Sequence, residues 1–195
     1  MTIPNYLTLV RLALAPVFIG LYVTGGTPAA VGALVVAVTF EVTDLLDGYI
    51  ARSYDQVSSI GKLIDPMADS ISRFSVFLAF VTENSVRDHP WPVLLAAVIF
   101  YRDAIVAYTR IFSASTGVVL AARLSGKLKA VMQGSGIIIF LTVRVVSHFY
   151  PSLVAYLPTI FYAIMCPIVL VTLWSAFDYV LSNRDAIRAM SEYKK

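Results

Sequence analysis

The chain has 195 residues, of which 58% are hydrophobic and only 14% charged, with a formal net charge of +3. That composition, with a mean hydropathy of +0.79, excludes an ordinary soluble domain. The length leaves room for about six membrane spans of roughly 20 residues each and little besides. The small positive charge bears first on orientation in a bilayer, and no nucleic-acid partner is expected from it.

Six helical spans are expected in chain order: 7–23 with a bend at Pro16, 30–51, 61–81, 92–112, 124–146, and 157–181 with a bend at Pro167. Gly25-Gly26-Thr27-Pro28 marks a turn after the first. The apolar run 12–23 resembles the core of a signal peptide. It carries little leading positive charge and further spans follow directly, so it reads as an uncleaved anchor. The expectation is an all-α integral membrane protein: a single transmembrane catalytic domain over 1–195.

Lysine and arginine fall unevenly on the connections. Segments 52–62 and 110–129 and the tail with Arg184, Arg188, Lys194 and Lys195 are basic, whereas the opposite connections offer Arg87 and Arg144. The positive-inside rule places the basic group and both termini in the cytoplasm, in agreement with an even number of spans.

Four aspartates then stand out. Asp44 and Asp47, three apart, close the second span, and Asp65 and Asp69, four apart, open the third. Each pair shares a helix face. The short linker between the spans implies that the two acidic ends lie side by side as an antiparallel helix pair, with all four carboxylates in one pocket open to cytoplasmic water. Unneutralised, four carboxylates would repel one another, and hard oxygen ligands select Mg²⁺, Mn²⁺ or Ca²⁺ over zinc. Gly48 and Gly61 let a ligand approach the backbone, Ala51 keeps the wall shallow, and Arg52 suits phosphate oxygens. Singly, each aspartate could be a solvated helix-end charge paired with Arg52 or Lys62. Together with the glycines they point to a site. Glu41, one turn before Asp44, is either a supporting hydrogen-bond partner or a residue near the interface.

The spacing D-x2-D-G-x2-A-R-x8-G-x3-D-x3-D is matched at every fixed position from Asp44 to Asp69, and the chain resembles the CDP-alcohol phosphotransferases throughout its length. Within them it is similar to bacterial phosphatidylglycerophosphate synthases. The similar stretches are the opening 3–11 (IPNYLTLVR), Asp65-Pro66-Met67-Ala68-Asp69, Gly126-Lys127-Leu128-Lys129, Asp178-Tyr179 and Arg184-Asp185. The resemblance implies six transmembrane helices, a homodimer, and metal-dependent transfer at the cytoplasmic face of the cell membrane. An acceptor hydroxyl attacks the β-phosphorus of a CDP-linked lipid and CMP leaves. It implies that Asp44, Asp47, Asp65 and Asp69 hold two Mg²⁺ or Mn²⁺ ions and that Asp69 is the general base. Asp44, Gly48, Ala51, Arg52 and Gly61 would bind the CDP-lipid.

A phosphorylated acceptor needs cations. Arg73, Arg110, Arg123, Lys127 and Lys129 are the expected acceptor-binding set, although the last three could equally serve only to keep the positive side inside. Phosphatidylglycerophosphate synthases usually carry lysine after the last motif aspartate, where this chain has Ser70. They also tend to show Arg-Glu where it has Arg102-Asp103, a pair that resembles the cardiolipin synthases. The expected reaction is therefore phosphatidyl transfer from CDP-diacylglycerol to glycerol 3-phosphate. Inositol phosphate, inositol, serine and phosphatidylglycerol stand as alternative acceptors. A cation transporter or channel would spread its charges across the membrane, whereas here they crowd at one face. Cys166 is the single cysteine, and His89 and His148 fall on the outer connections; none of them suggests a covalent intermediate.

Overall fold

Gly25 and Gly26 set the first corner of the molecule. Both take left-handed backbone angles, φ 73° and 77°, which glycine adopts without strain, and Pro28 then opens the next helix. The structure is a computed structural model that describes residues 2–54, 59–86, 88–116, 120 and 123–191. The chain runs α1 (Ile3–Thr24), α2 (Thr27–Ser53), α3 (Ser59–Val81), α4 (Trp91–Thr116), α5 (Leu124–Ser147), a 3₁₀ turn (Pro151–Tyr156), α6 (Leu157–Ser182) and α7 (Arg184–Ser191). No strand occurs among the described residues. Pro16 and Pro167 lie inside helices that continue through them.

Among the described residues, five segments are long and apolar enough to cross a membrane: Pro4–Thr24, Thr27–Ile50, Trp91–Ser113, Leu124–Ser147 and Pro151–Ser182. The sequence suggests six. The exception is α3, which has a span's length at 23 residues but carries Lys62, Asp65, Asp69 and Arg73. Those charges lower its hydropathy below what lipid exposure on all sides demands.

Consecutive helices alternate in direction, so α1, α3 and α5 begin at the end where α2, α4 and α6 finish. Burial divides the bundle along that axis. One half holds the apolar core, an aromatic series from Phe18, Phe40 and Phe80 to Phe140 and Phe161. Phe80 and Phe140 rings stand 4.6 Å apart, and Phe140 and Phe161 5.7 Å apart, within the range where offset and edge-on pairs are favourable. The other half buries Asn5, Thr8, Arg11, Asp47, Arg73 and Lys129. The outer surface is apolar: Val35, Leu94, Ile105, Leu170 and Phe177 are all exposed, as a surface facing lipid tails requires. At the apolar end Glu83 accepts from the Tyr22 hydroxyl at 2.9 Å and from Arg144 Nε at 2.8 Å, while the Arg144 guanidinium lies 3.9 Å over the Tyr22 ring. This ties the ends of α1, α3 and α5.

One expectation is corrected here. α2 and α3 do not form a simple antiparallel pair. α1 packs along both of them, and they touch each other only marginally.

Candidate functional site

The polar half is organised by α1. Asn5, Thr8 and Arg11 recur every three residues and are all buried, so they form one inward stripe on an otherwise apolar helix. Arg11 reaches α2 with both arms: Nη1 is 3.0 Å from Asp44 Oδ1 and Nη2 is 2.5 Å from Asp47 Oδ2. Thr8 donates its hydroxyl to Asp65 Oδ1 of α3 at 2.7 Å. Three of the four aspartates, Asp44, Asp47 and Asp65, are thus tied to α1.

Asp69 is held from its own helix. Arg73, one turn on, places Nε 2.9 Å from Asp69 Oδ1. Its Nη1 donates to the Ala130 carbonyl of α5 at 3.3 Å, and its Nη2 lies 3.6 Å from Glu41 Oε2 of α2.

Exposure sorts these groups. The Asp44 and Asp69 side chains keep 39% and 42% of their surface open, whereas Arg11 and Arg73 keep 1% and 7%. Carboxylates stand in front and guanidiniums behind, so negative charge faces outward while its neutralising charge is shielded from water.

The carboxylates face an open cavity of about 430 Å³, within the usual range for a small-molecule pocket. Asp44, Asp65 and Asp69 line one wall. Arg102, Arg110, Arg123, Lys127 and Lys129, from the end of α4 and the start of α5, line the other. Ser70 and Asp103 also line the cavity. The basic wall is itself cross-linked. Lys129 Nζ is 2.6 Å from Asp103 Oδ1, and Arg102 pairs with Asp103 at 3.2 Å and with the Ser175 hydroxyl of α6. Asp178 of α6 holds Arg123 at 3.2 Å and accepts from Ser125, which fixes the start of α5. A cleft of only about 10 Å³ lies behind, lined by Arg11, Glu41, Asp44, Asp69 and Arg73 among others.

Of the expected acceptor set, Arg110, Arg123, Lys127 and Lys129 come together on the large cavity. Arg73 does not line it; it lies behind Asp69. Asp47 is turned to Arg11 and lines neither cavity, and the same holds for Gly48 and the buried Gly61. The side chains of Ala51 and Arg52 lie outside the described part. Among the described residues, no three acidic, histidine or cysteine side chains stand close enough to share a metal ion as placed. Thr8, Arg11 and Glu41 are the members of this network to which sequence reasoning assigned no firm place.

Comparison with known proteins bears on what such an arrangement does. Residues 1–174 match the family model described as CDP-alcohol phosphatidyltransferase. A protein of Rickettsia typhi named CDP-diacylglycerol–glycerol-3-phosphate 3-phosphatidyltransferase is 35% identical over 132 residues, 67% of this chain and 71% of the relative. One of the same name from Bacillus subtilis is 32% identical over 139 residues, 65% and 69% of the two chains. A Streptomyces coelicolor protein named cardiolipin synthase (CMP-forming) is 35% identical over 109 residues, 54% and 48%. With a family match over most of its length, and with Asp44, Asp65 and Asp69 on the wall of its cavity, this chain is a member of the CDP-alcohol phosphatidyltransferase family.

Proposed function

We propose that the chain transfers the phosphatidyl group of CDP-diacylglycerol to glycerol 3-phosphate, giving phosphatidylglycerophosphate and CMP. The observation that carries this is the two-walled cavity. A carboxylate wall with Asp44, Asp65 and Asp69 faces a cationic wall with Arg110, Arg123 and Lys127. The relatives whose names state this reaction support the same choice of substrates.

The donor set suits Mg²⁺ or Mn²⁺, since every candidate ligand is a hard carboxylate oxygen and none is sulfur or imidazole. Asp44, Asp65 and Asp69 on the cavity wall, with Asp47 held behind them by Arg11, would hold two such ions once their carboxylates turn together, since among the described residues no three stand within reach of one ion as placed. When bound they supply charge neutralisation at the pyrophosphate and Lewis-acid polarisation of the phosphorus under attack. The chain's own groups do the rest. The cationic wall binds the acceptor phosphate by charge-assisted hydrogen bonds and so presents its hydroxyl to the acidic wall. Asp69, at that wall, accepts the hydroxyl proton as the oxygen attacks the β-phosphorus. The bond from that phosphorus to the bridging oxygen breaks, and CMP departs with the bridging oxygen and the electron pair. Gly48, Ala51, Arg52 and Gly61 are assigned to the CDP moiety.

The protein is read as one catalytic domain over 1–195, multi-pass in the cell membrane, with α3 as the sixth span. Both termini and the cavity mouth are assigned to the cytoplasmic side by the lysine and arginine distribution. A homodimer is part of the proposal.

The test is CMP release by purified protein given CDP-diacylglycerol and Mg²⁺. It should require glycerol 3-phosphate, and no CMP with any acceptor would end the enzyme reading. A second acceptor, phosphatidylglycerol, is favoured by one specific observation. Ser70, Arg102 and Asp103, where the chain departs from phosphatidylglycerophosphate synthases, all line the cavity. CMP released with phosphatidylglycerol but not with glycerol 3-phosphate would select it.

A further inference from the structure

We propose that Arg73 is a positioning residue: clamped by Glu41 of α2 and the backbone of α5, it fixes the direction in which Asp69 presents its carboxylate to the cavity. The inference rests on the assignment of Asp69 as the proton acceptor. It moves Arg73 out of the acceptor-binding set in which the sequence placed it.

The geometry carries the argument. An arginine one turn from an aspartate on an exposed helix face is free to swing and constrains its partner little. Here the guanidinium is 7% exposed, and each of its nitrogens faces a different helix. Nε holds Asp69 Oδ1 at 2.9 Å, Nη1 holds the Ala130 carbonyl at 3.3 Å, and Nη2 faces Glu41 Oε2 at 3.6 Å. A planar fork held by two hydrogen bonds and facing a carboxylate at its third nitrogen cannot rotate about one contact without weakening the others. Asp69 is 42% open, so it meets the cavity from the front and the clamp from behind.

Glu41 is accommodated by α5. A Cβ built on Gly134 would stand 2.5 Å from Glu41 Oε2 and 2.8 Å from its carboxyl carbon; only a residue without a side chain leaves this slot. A carboxylate within a membrane-spanning segment is costly, and the contact that accounts for this one is Arg73. Arg73 lines the small rear cavity and not the large one where Arg110, Arg123 and Lys127 meet. It is therefore separated from the place where an acceptor phosphate would bind.

The experiment measures CMP release, CDP-diacylglycerol affinity without acceptor, and thermal unfolding for the wild type, Arg73→Lys, Arg73→Gln and Glu41→Gln. Arg73→Lys keeps the charge and removes the fork. Positioning predicts a kcat lower by about 10²-fold, the loss expected when a reacting group is misplaced by about an ångström. The acceptor KM and the CDP-lipid affinity should stay within about threefold, because ground-state binding is untouched. Glu41→Gln should reduce kcat in the same sense, and its effect should vanish in the Arg73→Gln background, since it acts through that residue. An acceptor KM that rises while kcat holds would return Arg73 to the acceptor site and overturn the proposal. So would a lowered unfolding temperature with full kcat in the folded protein, which marks a purely structural tie. If the Arg73 variants do not fold, Glu41→Gln decides on the same measurements. A wild-type protein that releases no CMP overturns the parent assignment and this one with it, whereas an active wild type with an unimpaired Arg73→Lys overturns this one alone.

Discussion

Arg11 and Asp47 are joined across α1 and α2 by a 2.5 Å contact between Nη2 and Oδ2, with the arginine 1% exposed and the aspartate side chain 10% exposed. The same guanidinium holds Asp44 at 3.0 Å. Removing it leaves the buried Asp47 carboxylate without its counter-charge. Arg11→Gln should destabilise the protein by about 3–5 kcal/mol, the usual consequence of unpairing a buried charge. Thermal unfolding in detergent measures it, and an unfolding temperature equal to that of the wild type would show that the pair contributes nothing.

Asp69→Asn keeps the shape of the side chain and removes its basicity. Turnover should fall by about 10²–10⁴-fold, the span typical of a lost general base, while CDP-diacylglycerol still binds. Equilibrium binding and single-turnover CMP release separate the two effects, and normal turnover would refute the role.

Chelation of divalent cations should stop CMP release, and Mg²⁺ or Mn²⁺ should restore it. Asp44→Asn and Asp65→Asn should each raise the Mg²⁺ concentration for half-maximal rate by at least about tenfold, the lower bound seen even for supporting groups at metal sites. An unshifted Mg²⁺ titration would count against both as ligands.

Arg110 closes the cationic side of the large cavity near the end of α4. Arg110→Ala should raise the glycerol 3-phosphate KM by about tenfold or more, as expected for a lost charge-assisted hydrogen bond. The CDP-diacylglycerol KM should hold. Initial-rate kinetics with each substrate varied in turn checks this, and an equal rise in both would move Arg110 away from the acceptor.

Gly134 and Gly136 offer a controlled contrast on α5. A Cβ at Gly136 would stand 2.6 Å from Ile168 Cδ1 and 2.8 Å from Ile164 Cγ2, and one at Gly134 would meet Glu41. Both Gly→Ala changes should destabilise by about 1–3 kcal/mol, as overpacking does. Only Gly134→Ala should also lower kcat, because only there does the strained neighbour belong to the charged network. Equal activity in the two folded variants would separate that network from catalysis.

The aspartate spacing was legible because it is a pattern of unusual residues in an apolar context, and α2 and α3 do carry it where their turns predict. The basic wall was legible for the same reason in Arg110, Arg123, Lys127 and Lys129. The wedge of α1 was not, since helix periodicity shows which face is buried and not which neighbour buries it. Asn5, Thr8 and Arg11 at three-residue spacing were the available signal: a polar stripe on an apolar helix needs partners of its own kind. α3 was read as a span from its length, while its four charges place it outside the apolar class. The position of Arg73 behind Asp69 depends on α5, 57 residues further along the chain, and no local pattern encodes that.

Arg11 has a temporal meaning as well as a spatial one. The ribosome makes it 33 residues ahead of Asp44 and 36 ahead of Asp47, so both acids emerge with their counter-ion already synthesised. Asp69 receives Arg73 four residues later. Asp44 and Asp47 thus enter the bilayer already matched within the first hairpin, whereas Glu41 of the same hairpin waits for Arg73 of α3.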